Sequence, residues 1–77
     1  MAEKTWYIIV EKKEMIGNPI VVEDLENDVI TDTHGNKLKV IGIIKDWKLA
    51  KKEANYPDRS IYVLQEGSKQ AWYKNKR

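Results

Sequence analysis

Residues 5 to 11 read Thr5-Trp6-Tyr7-Ile8-Ile9-Val10-Glu11. β-branched and aromatic side chains of this kind favour a pleated strand. Alternation puts Trp6, Ile8 and Val10 on one face and Tyr7 and Ile9 on the other. Both faces are apolar, so the strand belongs at the centre of a sheet or under cover on two sides. In a chain of 77 residues that demand is hard to meet. A domain this small buries only about 60% of its unfolded surface. The remainder of the sequence has to supply two covers from few apolar residues.

There is no cysteine and no phenylalanine. Without cysteine there is no disulfide, no thiolate metal site and no thiol nucleophile. Secreted mini-proteins of this size usually carry such staples, so the composition points to the cytosol. The N-terminal stretch "MAEKTWYIIVEKK" lacks the basic region, apolar run and cleavage site of a signal peptide. No apolar run approaches the roughly 20 residues that a membrane span needs. The reading is a soluble cytoplasmic protein with no membrane association.

Further strand signals follow. Pro19 to Glu23 forms a second apolar run, and the acidic connection "EDLEND" leads into Val29-Ile30-Thr31. The stretch "DTHGNK" at residues 32 to 37 is a turn, because Gly35 and Asn36 tolerate positive φ. Lys37 to Lys45 resumes as a strand, with Leu38, Val40 and Ile44 on one face and Ile41 and Ile43 on the other. Gly42 within it marks a bulge or barrel corner.

One helix is predicted, over about residues 46–55. Asp46 is a suitable N-cap. Trp47, Ala50 and Ala54 form a narrow apolar face at spacings of three and four. Tyr56-Pro57 ends the helix, because the residue before proline avoids helical geometry. At this length it is not stable alone and has to pack on a sheet, through Trp47.

Ser60 to Gln65 is the next strand. A turn with Gly67 and Ser68 as its two central residues folds the chain back. It sets Glu66 against Lys69, Leu64 against Ala71, Val63 against Trp72 and Tyr62 against Tyr73, all chemically compatible pairs. In this register Trp72 is assigned to the core beside Val63, and Tyr62 and Tyr73 to the opposite, exposed face. Residues 75–77 remain as a short basic tail.

The fold class is therefore α+β and mostly β: a curved antiparallel sheet or small, partly open barrel of five to six strands, with one short helix before a C-terminal hairpin. The whole chain, 1–77, reads as a single small domain. If residues 19 to 32 form one long bent strand, the order β-β-β-α-β-β resembles that of the OB-fold barrel. Other small α+β sheets share the order.

Chemistry is sparse. His34 stands alone in a turn. Glu23, Asp24, Glu26, Asp28 and Asp32 form an acidic stretch without the ligand positions of a calcium loop. Ser60 and Ser68 have no nucleophile context, and no glycine-rich loop is present to cradle phosphate. No catalytic residue, cofactor or metal is predicted, and the chain is read as non-enzymatic.

Charge is uneven. Residues 1 to 36 hold three lysines and eight carboxylates; residues 37 to 77 hold eleven basic and four acidic residues. The candidate binding residues are Tyr62, Tyr73, Lys69, Lys74, Lys76 and Arg77, extended by Lys48, Lys51 and Lys52. The expected function is an interaction module, such as an adaptor, regulator or inhibitor. It would bind a protein partner through an exposed sheet face or edge, or self-associate through an edge. The alternative is single-stranded nucleic acid, bound by the basic and aromatic C-terminal half.

Overall fold

The computed structural model describes residues 4–11 and 19–75. The chain runs β1(Thr5–Glu11), β2(Ile20–Asp24), β3(Val29–Thr31), β4(Val40–Ile44), α1(Trp47–Glu53), β5(Arg59–Gln65) and β6(Gln70–Lys74). The strands form one sheet in the order β3-β2-β6-β5-β1-β4, antiparallel at every step. The sheet curls until it nearly closes. Lys37 bridges Thr31, and the Leu38 N–H donates to the Ile30 carbonyl at 2.8 Å. Residues 37–38 thus meet β3, while β4, just beyond, pairs with β1. This is the mostly β, barrel-like architecture with one short helix that the pattern predicts.

β1 explains the layout. It lies between β5 and β4, and each of its faces has its own cover. Ile8 and Val10 point into the barrel interior with Ile20, Val22, Ile30, Tyr62, Leu64 and Ala71. Ile9 points outward into a second cluster with Ile61, Ala50 and Ala54, flanked by Tyr7, Ile41, Ile44 and Trp47. The helix is the lid on this outer cluster. Asp46 caps it, its Oδ1 accepting from the Lys48 N–H at 3.1 Å. The face of Trp47, Ala50 and Ala54 is the face that packs. Arg59 ties the connection down by donating to the Glu53 carbonyl at 2.7 Å.

β4 departs from simple alternation. Ile9 pairs with Gly42 and Val10 with Val40, so Ile41 is an extra residue in the ladder. A bulge leaves two successive residues on one side. Val40 and Ile43 therefore face the interior, while Ile41 and Ile44 face the helix. The expected grouping of Val40 with Ile44 holds only without the bulge, and Ile43 takes Ile44's place.

Residues 19 to 32 do not form one bent strand. β2 and β3 pair with each other as a hairpin, which removes the OB-fold order. The acidic connection is the turn between them. Asp24 accepts from the Asn27 side-chain amide at 2.7 Å, and Asp28 takes φ 57, a conformation that Asn and Asp adopt more readily than other side chains. The next turn is organised by Asp32, whose Oδ1 accepts from the backbone N–H groups of His34 and Asn36. Gly35 supplies φ 84 there.

β5 and β6 adopt the expected register: Val63 pairs with Trp72, Tyr62 with Tyr73 and Ile61 with Lys74. The turn is set one residue earlier than its sequence indicates. The Ser68 N–H donates to the Gln65 carbonyl at 3.0 Å, so Glu66 and Gly67 are the central residues. Gly67 carries φ 85, as the second central position of a type II turn requires.

The faces of this hairpin are the reverse of those expected. Tyr62 is 1% exposed and Trp72 52%. Tyr62 enters the barrel opposite Ile8 on β1, and Tyr73 packs edge-on against it with ring centroids 6.0 Å apart. Trp72 and Val63 lie on the outer face. Both faces of "SIYVLQ" are apolar, so the sequence alone does not say which one the barrel takes.

Candidate functional site: the outer face of the terminal hairpin

The outer face is built in rows across the strands. One row runs Trp72, Val63, Tyr7 and Ile44, across β6, β5, β1 and β4. The next runs Lys74, Ile61, Ile9 and Gly42 through the same strands. Helix α1 covers only part of this surface. Its seven residues span about 10 Å at 1.5 Å each, whereas the seven residues of β5 span about 23 Å. The helix packs on β1 and β4. β6 lies two strands from β1, about 9.5 Å away at the usual strand spacing. Ile9 and Ile61 are therefore buried under the helix, and Trp72 lies beyond its reach.

The uncovered surface forms an open groove of about 410 Å³, lined by Val63, Gln65, Ser68, Gln70, Trp72, Tyr73 and Lys74. Among the described residues this lining contains one cation and no carboxylate. At its helix side stands Trp47, whose ring centroid is 5.2 Å from that of Tyr7. The Lys74 ammonium sits 5.1 Å from the Trp47 centroid and that of Lys51 5.6 Å. Both contacts fall within cation–π range. They hold the two positive charges beside the aromatic row.

The residues singled out from sequence fall in several places. Lys74 and Lys51 come together around Trp47. Tyr62 is inside the barrel and inaccessible to a ligand, and Tyr73 is half-buried against it. Lys69 is exposed, and its carbonyl accepts from the Val22 N–H at 2.8 Å. Alternation along β6 sets Lys69 on the side of Ala71 and Tyr73, away from Trp72. Lys48 and Lys52 are exposed on the helix. Lys76 and Arg77 lie outside the described residues.

Trp72 and Trp47 are absent from that selection, because the hairpin register assigns Trp72 to the core and the helix face assigns Trp47 to packing on the sheet. One signal could have exposed Trp72: the predicted helix is too short to cover a whole sheet face, so one end of that face has to remain bare.

Elsewhere the surface offers little chemistry. His34 is exposed in its turn. Among the described residues no group of three or more His, Asp or Glu side chains could hold a metal ion, and no helix is long and apolar enough to cross a membrane. Asp24 has its acidity raised by the Asn27 side-chain amide and N–H, as a turn carboxylate does. No known family, characterised protein or solved structure matches the chain.

Proposed function

We propose that this chain is a small non-enzymatic interaction module that binds a protein partner through the outer face of β5 and β6. The observation that carries this reading is Trp72. It is a large aromatic side chain held half out of a paired hairpin, beside Val63 and a groove edged by one lysine. Tryptophan is among the side chains that most often dominate protein interfaces. Of the two edge strands, β3 and β4, the edge of β3 is already met by residues 37–38.

The test is photo-crosslinking. A photoreactive residue replaces Gln65, which is exposed in the groove, and the chain is exposed to lysate of its source cells. Captured proteins are then purified and their affinity measured against the unmodified chain. The expected result is a partner whose affinity falls at least tenfold with Trp72→Ala, as for an interface hot spot. A partner that binds Trp72→Ala as tightly as the parent overturns the assignment of this face. Sedimentation of the chain alone shows whether the partner is a second copy.

The same residues give single-stranded nucleic acid a second reading, since an exposed Trp beside Lys74 can stack on a base next to a phosphate. Binding to oligothymidylate with a steep negative salt slope would establish it.

A further inference from the structure

The groove around Trp72 is asymmetric. Its middle is apolar, formed by Val63 and Trp72, and its turn end is polar, formed by Gln65, Ser68 and Gln70. Its helix end is positive: Lys74 lines it, and Lys51, outside the lining, lies near the same Trp47 ring. Among the described residues no Asp or Glu lines it. Along the chain Glu66 follows Gln65 at the turn end of the groove, and Glu53 lies two residues from Lys51 on the helix; neither is in the lining. The two lysines are also restrained, because each ammonium rests within 6 Å of the Trp47 centroid. A restrained charge loses less rotamer freedom on pairing than a free one.

Building on the proposed protein-binding face, we infer that the partner segment is an acidic peptide with an apolar anchor. The anchor packs on Val63 and Trp72, and its carboxylates meet Lys74 and Lys51. Charge complementarity selects this occupant. Single-stranded nucleic acid fits less well. Such sites offer successive free rings to successive bases, and of the two tryptophans here the Trp47 ring already carries two lysine ammoniums.

The test uses the full chain and three labelled probes at low salt. One is a short peptide alternating glutamate with leucine. The second replaces glutamate by lysine. The third is oligothymidylate. The parent chain is expected to bind the glutamate peptide and not the lysine peptide. The double reversal Lys51→Glu and Lys74→Glu should weaken glutamate-peptide binding at least tenfold and create binding to the lysine peptide. Exchange of partners in this way cannot come from a misfolded variant, and far-UV circular dichroism checks each protein.

Three results overturn the inference: no binding of the glutamate peptide, no effect of the double reversal, or tighter binding of oligothymidylate. The two readings separate cleanly. If Trp72→Ala abolishes capture of the cellular partner but the double reversal leaves it unchanged, the face stands and the acidic partner falls. If neither substitution affects capture, both fall.

Discussion

Ile8 and Ile9 are neighbours on β1, and both are fully buried. In most half-buried strands one of two such neighbours faces water and can be trimmed at little cost. Here Ile8 faces the barrel and Ile9 the helix, so both should matter. Removing one methyl group from a packed isoleucine costs about 0.5–1.5 kcal/mol, and truncation to alanine about 2–5 kcal/mol. A chain of this length has roughly 4–12 kcal/mol of stability, at 0.05–0.15 kcal/mol per residue. Alanine at either position therefore approaches the limit of folding, and valine is the better probe.

Urea unfolding followed by tryptophan fluorescence is the assay. With a slope of about 1 kcal/mol per molar urea, Ile8→Val and Ile9→Val should each lower the midpoint by about 1 M. Asp46→Ala removes the helix cap and costs about 1 kcal/mol by itself. Because α1 lies on Ile9, the cap variant should couple to Ile9→Val and add independently to Ile8→Val. If Ile9→Val leaves the midpoint unchanged while Ile8→Val lowers it, the outer cover is not a packed core. If Asp46→Ala couples equally to both, the two clusters do not act as separate units.

Gly67→Ala should cost about 1 kcal/mol or more, because φ 85 at this position is strained for alanine, whereas Gly42→Ala should be neutral or slightly stabilising, since a Cβ there meets nothing within 4 Å; the two melting temperatures compared side by side decide it. Truncation before Gln70 should unfold the domain, because Ala71 and Tyr73 belong to the barrel interior; cooperative melting of the shortened chain would refute this. The Asn27 contacts hold the Asp24 pKa below its ordinary value, so whatever they contribute is present above the carboxylate range and lost as pH falls through the folded-state pKa. Acid should therefore loosen the β2–β3 turn in the parent, and Asp24→Asn should lessen that acid response, as amide chemical shifts of Asn27 and Asp28 will show.

Much of the architecture was legible because local chemistry is consistent. The hairpin register followed from matching Tyr62 with Tyr73 and Val63 with Trp72. The helix followed from one cap, Asp46, and one face, Trp47, Ala50 and Ala54. Legibility failed where two faces were equally apolar. Nothing in "SIYVLQ" ranks Ile61 and Val63 against Tyr62 and Leu64. The choice is made by β1, a remote strand whose own two faces are both covered. The β4 grouping failed for a related reason: Gly42 indicated an irregularity, but only pairing with Ile9 and Val10 shows that Ile41 is the extra residue. The candidate site inherited the first error. Assigning Trp72 to the core leaves out of the selected binding residues the side chain that defines the exposed face.

The position of β1 has a further consequence, for motion. It is flanked by β4 and β5 in the plane of the sheet, and by the barrel interior and α1 above and below. A backbone amide enclosed on four sides meets solvent only when most of the molecule opens. Protons on the Ile8 and Ile9 amides should therefore be among the slowest to exchange with deuterium, on the timescale of global unfolding. The amides of the terminal hairpin near Trp72, open to water on their outer face, should exchange earlier. The slow centre and the bare face then differ in tempo as well as position, so the hairpin can adjust to a partner while the strand beneath the helix stays closed.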